Sequence, residues 1–308
     1  MIELQQKLLG DHLRNQAFYD ALKKVIKKGK TTLADIGSGT GFLSFLAARL
    51  GAKACYLYEY SELLPLSRKL AAANKIPNCH FIHGHSAEVA RPVPVDVIVS
   101  ETLGNFALEE NIIENLEDAK RFLKPGGVII PGKLEQFIAP VISPRITSDL
   151  NVWDHIDFDF NFSLMKVHAF NNMFVYRITP QDLLDDAGAV QVFDRMDFEK
   201  PCKSLRRGDA QWEFKTDQTI YGFAVWWRSE LVPGISLSTS PFEEPTHWDQ
   251  VFLPLLKPMQ IKKSDELICS IETDSRYTVG IRMKWEAIIS GHGKKQKSGL
   301  MDTQKGLN

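Results

Sequence analysis

The sequence has no long apolar run. None of its hydrophobic stretches approaches the roughly 18 residues a membrane-spanning helix needs, and the opening "MIELQQKLLGDHLRNQ" carries charges where a secretory leader has an apolar core. A soluble, cytoplasmic chain with no membrane partner is expected. Cysteine is scarce: Cys55, Cys79, Cys202 and Cys269 are scattered and form no Cys-x-x-Cys pair. That spacing indicates neither a zinc site nor a disulfide framework, so no metal is expected and a reducing compartment fits. A charge excess is missing too. With 37 Lys and Arg against 38 Asp and Glu, the net charge of −1 implies no basic face and no obligate nucleic-acid partner. No internal repeat is visible. What remains is an ordinary globular composition, 44% hydrophobic and 24% charged, in a chain of 308 residues, long enough for two domains with real cores.

Apolar residues at helical spacing (Leu9, Leu13, Ala17, Ala21, Val25) predict one amphipathic helix from Ile2 to about Ile26. Short apolar strands then alternate with helical stretches. The strands are "TTLADI", "ACYLYE", "CHFIH", "VDVIVS" and "GGVIIP"; the helices run from Phe42 to Leu50, Glu62 to Asn74 and about Leu108 to Leu123. This alternation predicts a parallel sheet with crossover helices over residues 1–132. Past Pro131 the pattern becomes β-rich, as in "LEQFIAPVI", "TIYGFAVWWRSEL" and "ELICSIET", predicting an antiparallel barrel or sandwich over 133–290. Trp226 and Trp227 there should face opposite sides of a strand, one of them in the core. An aromatic, acidic insertion at about 146–172 fits neither strand nor helix, and the polar stretch 291–308 reads as a mobile tail.

Two features carry chemistry. The first is "LADIGSGTGFLSFLAARLG": a strand, glycines at alternate positions (Gly37, Gly39, Gly41), then a helix. Such a turn lets a ligand approach the main chain and the free N–H groups of a helix start. Glu59, 22 residues beyond Gly37 at the end of the next strand, suits a carboxylate accepting hydrogen bonds from ribose hydroxyls. Phe42 stands where a dinucleotide fingerprint needs its third glycine, which disfavours a nicotinamide cofactor. Gly-x-Gly-x-Gly after the acidic Asp35 instead resembles the class I S-adenosylmethionine-dependent methyltransferases. The second feature is "VSETLGNFALEENI". Glu101 and Glu110 are nine residues apart, so at roughly 100° per residue one helix would put them on opposite faces. A loop bent at Gly104 is needed to bring them together.

The glycine turn, "SETLGNFALEEN", "PGGVIIPGK" and "STSPFEEPTHWDQVFLPL" occur in that order, and by them the chain resembles the protein arginine methyltransferase family over nearly all its length. The resemblance implies a Rossmann-like class I methyltransferase domain followed by a β-barrel or sandwich domain with an inserted dimerisation arm, and a homodimer. It implies S-adenosyl-L-methionine, held by Arg14 at its carboxylate, Glu59 at its ribose and Glu88 near its adenine, with Asp35, Gly37, Ser38, Gly39, Gly41, Tyr60 and Ala87 around them. It further implies a substrate guanidinium clamped by Glu101 and Glu110, a His247–Asp11 pair beside it, and Thr102, Asn105 and Trp248 shaping the substrate pocket. The implied reaction is methyl transfer to an arginine nitrogen of a protein or peptide; a small amine acceptor, or a non-catalytic cofactor-binding scaffold, are the alternatives. Taken alone, Asp11 and Arg14 could be an i,i+3 surface pair, His247 a loop-forming residue, and Glu109 and Glu110 both helix-start charges; the spacing selects Glu110, not Glu109. The sequence departs from the family at Thr102 and Leu103, where Trp-Met is usual, and at Asn105, where tyrosine is common. Only ten residues precede Asp11, and the paired tyrosines that close over the cofactor in that family have no counterpart among them.

Overall fold

The computed structural model describes residues 2–291 and 294–306. The expected N-terminal helix is two, α1 (Ile2–Gly10) and α2 (His12–Val25). They break at Asp11, whose extended backbone (φ −80°, ψ 96°) and side chain, accepting from Arg14 N, begin a new helix in place of continuing the old one. Helix α2 buries Phe18, Ala21 and Leu22, whereas α1 buries nothing and lies along the cavity described below.

β1 (Thr32–Ile36), α3 (Phe42–Arg49), β2 (Ala54–Glu59), α4 (Leu63–Ala73), β3 (Cys79–His83), β4 (Val95–Ser100), α5 (Ile112–Ala119) and β5 (Leu123–Ile130) build the expected parallel sheet, in the order β3-β2-β1-β4-β5. Asp35 of β1 pairs with Leu57 of β2 on one side and Val99 of β4 on the other. Successive strands therefore diverge from β1, and the crevice at their carboxyl ends is where such sheets bind ligands. Helix α5 starts four residues later than the periodicity predicts: residues 109–111 form part of a loop, and Asn111 adopts a left-handed conformation (φ 57°) before the helix begins.

The second half contains β6 (Lys133–Val141), α6 (Arg145–Leu150), α7 (Ser163–Phe170), β7 (Phe174–Tyr176), β8 (Gln191–Asp197), β9 (Leu205–Glu213), β10 (Gln218–Val232), β11 (Ile235–Ser238), β12 (Gln250–Ile261), β13 (Glu266–Asp274), β14 (Arg282–Gly291), β15 (Lys294–Lys297) and β16 (Met301–Asp302). They form two antiparallel sheets, β7-β12-β10-β6-β8 with β11 beside β10, and β15-β14-β13-β9 with β16 beside β14. Trp212 stacks on Phe223 across them at 5.8 Å, and Trp285 Nε1 donates to the Pro254 carbonyl at 2.8 Å. Among the described residues no barrel closes; of the two expected forms the domain takes the sandwich. Trp226 and Trp227 do face opposite ways, but both are buried, because Ile146 of α6, Ile178 and Leu183 cover the outer face of β10.

The insertion folds as short helices, α6, a turn at Val152–Asp154 and α7, and it displays Phe158, Phe160 and Leu164 at 87%, 65% and 82% exposure. The tail expected to be mobile is pinned where described. β15 and β16 pair with β14, Met301 is buried, and Asn171 Oδ1 accepts from Asp302 N at 2.8 Å. Three buried residues, Met301, Asp302 and Gly306, in a polar stretch carry no periodic signal, which is why composition missed them. His292, Gly293, Leu307 and Asn308 lie outside the described residues. The four cysteines are free thiols. Among the described residues no helix is long and apolar enough to cross a membrane, and no cluster of three His, Cys, Asp or Glu side chains could hold a metal ion.

Candidate active site

The carboxyl ends of β1, β2 and β4, together with α1 and second-domain loops bearing His247 to Asp249 and Tyr277, enclose a cavity of about 790 Å³. The glycine turn forms its floor. Glu59 Oε2 accepts from Gly39 N at 2.7 Å and Oε1 from Ser61 N at 2.8 Å, so this buried carboxylate ties the turn to the end of β2. Gly41 cannot be replaced without strain: its φ is +84°, and a Cβ would lie 2.5 Å from Ser67 Oγ and 2.9 Å from Leu57 Cδ2. Asp35 also lines the cavity. Its Oδ2 accepts from Ser44 N and Oγ at 3.1 and 2.8 Å, fastening β1 to α3, and burial pushes its carboxyl up to about 7.

The glutamate loop faces this floor. Arg14 Nε donates to Glu101 Oε2 at 3.0 Å and Arg14 Nη2 bonds the same oxygen, with both side chains 6% exposed. The arginine assigned to a cofactor carboxylate thus grips the glutamate assigned to a substrate guanidinium. Glu109 is spent on its own loop, accepting from the backbone of Phe106 and Asn105. A Cβ on Gly104 would lie 2.5 Å from Glu109 Cβ, so this glycine is required by close approach, not by an unusual φ. Glu110 lines the cavity, and the surrounding protein, then Glu101 and Glu109, push its carboxyl up to about 7. The spacing selects Glu110 over Glu109, and the bonds of Glu109 to Phe106 and Asn105 agree with that choice.

The second domain holds this loop in place. Trp227 Nε1 donates to the Gly104 carbonyl at 3.0 Å, Trp248 Nε1 to the Leu103 carbonyl at 2.8 Å, and Asp249 N to Asn105 Oδ1 at 2.9 Å. Thr102 is buried, its hydroxyl accepting from Asn115 Nδ2 at 3.1 Å and lying 3.2 Å from Ser100 Oγ. Thr102, Asn105 and Trp248, expected to shape the substrate pocket, all line the cavity, and each is anchored in fixing the loop.

Asp11 joins the helix start to the Thr-His-Trp loop. Its Oδ1 caps α2 through Arg14 N at 2.9 Å, while Oδ2 accepts from His247 N at 2.8 Å and sits 2.7 Å from His247 Nδ1. Burial opposes ionisation here, but the bonds from His247 and Arg14 outweigh it and hold the carboxyl at about 2. A folded value below the unfolded one of about 3.9 means the stabilisation is complete above pH ~4 and drains as pH falls towards 2. Asp11→Asn is therefore expected to lower the urea midpoint at pH 7, with the gap to wild type narrowing by pH 3; an equal gap at both values contradicts the assignment.

The cavity suits a nucleoside cofactor with a charged tail. Ser38 Oγ and Ser86 Oγ are buried on its wall without a protein partner, Glu59 and Arg14 stand on either side of the glycine turn, and α1 covers it, with the Gln5 amide 3.5 Å from the place a Cβ on Gly39 would take. Leu4, Gln5, Lys7, Leu8 and Leu9 of helix α1 line this part of the cavity. Tyr60 is at the rim. Ala87 and Glu88 are exposed in the turn at Ser86–Glu88, with the Glu88 carboxylate 3.5 Å from the place a Cβ on Gly84 would take, and Gly84, His85, Ser86, Asn115 and Tyr277 line that wall. The part Trp227 and Tyr277 play at the site carried no sequence signal, since each acts on a segment more than a hundred residues away.

The arginine methyltransferase oligomerization subdomain model matches residues 135–287, and the ribosomal protein L11 methyltransferase (PrmA) model matches 9–142. The chain is 30% identical over 281 residues to protein arginine N-methyltransferase 6 of Xenopus tropicalis, covering 86% of this chain and 82% of that protein. Its fold matches the Trypanosoma brucei PRMT1 enzyme–prozyme complex with a TM-score of 0.85 at 21% identity, covering 97% of this chain and 96% of that one. Arabidopsis thaliana protein arginine methyltransferase 10 gives 0.81, also at 21% identity, over 98% and 97% of the two chains. On the similarity to that Xenopus protein over 86% of this chain, with the sheet, the glycine turn and the glutamate loop in place, the chain belongs to the protein arginine N-methyltransferase family.

Proposed function

We propose that this chain methylates a guanidinium nitrogen of arginine in a protein or peptide, with Glu101 and Glu110 as a two-carboxylate clamp. As a member of its family it is an S-adenosylmethionine-dependent methyltransferase, and that cofactor supplies a methyl group activated on a sulfonium. The observation that carries the substrate is the carboxyl of Glu110. Lining the cavity, it is raised by burial first and then by Glu101 and Glu109, with Arg14 opposing, so a second cation entering the cavity would favour its charged form. A guanidinium is planar, permanently charged and has five donors, which suits two carboxylates. The residues fitted to the cofactor are Arg14, the glycine turn with Ser38, and Glu59. A carboxylate reaching Arg14 competes with Glu101 for it and so readies Glu101 for the substrate. The carboxylates then orient the nitrogen and stabilise charge, and Glu110, with a value near neutrality, is suited to take the departing proton. Incubation with methyl-labelled cofactor and an arginine-rich peptide, its lysine-substituted copy and a panel of small amines is the test. Label on the arginine peptide alone is expected; label confined to a small amine overturns the substrate, and no label supports an idle scaffold.

The insertion supports a homodimer, since Phe158, Phe160 and Leu164 form an exposed apolar surface that a second copy would cover. Replacing all three by Ser is expected to give a monomer by sedimentation velocity; a dimer that persists counts against this surface.

A further inference from the structure

We propose that Tyr277, on the loop between β13 and β14 of the second domain, forms the outer wall of the subsite for the cofactor's adenine. The inference rests on the reading that the cavity takes S-adenosylmethionine. Arg14 and Glu101 mark one end of the cavity, Glu59 at the end of β2 marks the ribose, and β3 lies beyond β2 in the sheet. A nucleoside held by Glu59 with its tail towards Arg14 directs its base to the end of β3, where His85 and Ser86 stand. There the Tyr277 ring meets His85 edge-on, at 5.5 Å and 87°, and its hydroxyl donates to Asn115 Oδ1 at 2.6 Å. Burial, then Glu114 and Asp118, push that hydroxyl up to about 12, so it stays a donor.

Tyr277 is held there firmly. Asn111 Nδ2 donates to the Ser275 carbonyl at 2.5 Å, and Ser275 Oγ donates to Glu114 Oε1 at 2.7 Å, which seats the loop on the first turn of α5. Asn115 Nδ2 also bonds Thr102 Oγ1 at 3.1 Å and the Glu110 carbonyl at 2.9 Å, linking this wall to the glutamate loop. Ser86 adds an independent sign of a polar ligand: its hydroxyl is buried on the same wall with no protein partner. An aromatic wall suits a purine, whose faces stack favourably on such rings.

Calorimetry of the full chain with S-adenosylhomocysteine and with adenosine separates a contact to the base from a remote effect. Tyr277→Ala is expected to weaken both ligands about tenfold and by the same factor, whereas Tyr277→Phe, which keeps the ring and loses the bond to Asn115, weakens them about threefold. Unchanged affinity in Tyr277→Ala overturns the inference, and so does a loss confined to S-adenosylhomocysteine. Should Tyr277→Ala fail to fold, the Tyr277→Phe arm decides alone, an unaltered Kd overturning the inference. Failure of the wild type to bind either ligand would overturn the cofactor reading itself, and this proposal with it.

Discussion

Glu101→Gln is expected to lower kcat for methyl transfer about a thousandfold while leaving S-adenosylhomocysteine binding within a few-fold of wild type. The substitution keeps the shape of the side chain and an oxygen for Arg14, but removes the charge that steadies a guanidinium as positive charge develops; losing one such aligned group costs about 10²–10³ in rate. It also leaves the buried Arg14 without a charged partner, a loss of about 3 kcal/mol in the ligand-free protein. A ligand carboxylate reaching Arg14 restores a partner, so S-adenosylhomocysteine should raise the melting temperature of the variant more than that of wild type. The pH profile gives a second readout. In wild type, kcat/KM is expected to climb as pH rises through about 7, where Glu110 ionises. With Glu101 neutral one of the crowding charges is gone, and the limb of the residual activity should move to lower pH. Retained activity, or an unmoved limb, would remove Glu101 from the clamp.

The two adjacent tryptophans give the second large effect. Trp227→Leu leaves a cavity in the core, loses the bond to the Gly104 carbonyl and removes the edge-to-face contact with Trp248, at 5.0 Å and 72°. Stability should fall by about 3–5 kcal/mol, as for other large-to-small changes of a buried aromatic, and kcat by about a hundredfold as the glutamate loop loosens. Trp226→Leu is the control. Its ring packs on Phe137 and Phe242 on the other face of β10, away from the loop, so its stability loss should be similar and kcat nearly unchanged. Urea midpoints and kcat for both variants decide the matter; equal loss of kcat in the two would mean Trp227 acts through stability alone.

Legibility in the sequence followed the range of the interaction. The parallel sheet was readable because each strand and helix declares itself by local periodicity, and β2, β3 and β4 begin and end where the apolar runs do. The break at Asp11 was not, since an N-cap inside a continuous amphipathic pattern leaves the period intact. The glycine turn and the paired glutamates were legible as motifs, and the need for a loop between Glu101 and Glu110 followed from geometry. What the glutamates touch was not: the Arg14–Glu101 pair spans 87 residues and Asp11–His247 spans 236. Thr102 and Asn105, two of the three positions that depart from the family, turn out to be spent on Asn115, Ser100 and Asp249.

The clamp is tested most directly by tandem mass spectrometry of an arginine-containing peptide after incubation with the full chain and S-adenosylmethionine. A methyl group localised to the guanidino nitrogens, absent from the Glu101→Gln reaction, is the predicted result. A methyl group on any other atom, or unmodified peptide from a chain that binds S-adenosylhomocysteine, would contradict it.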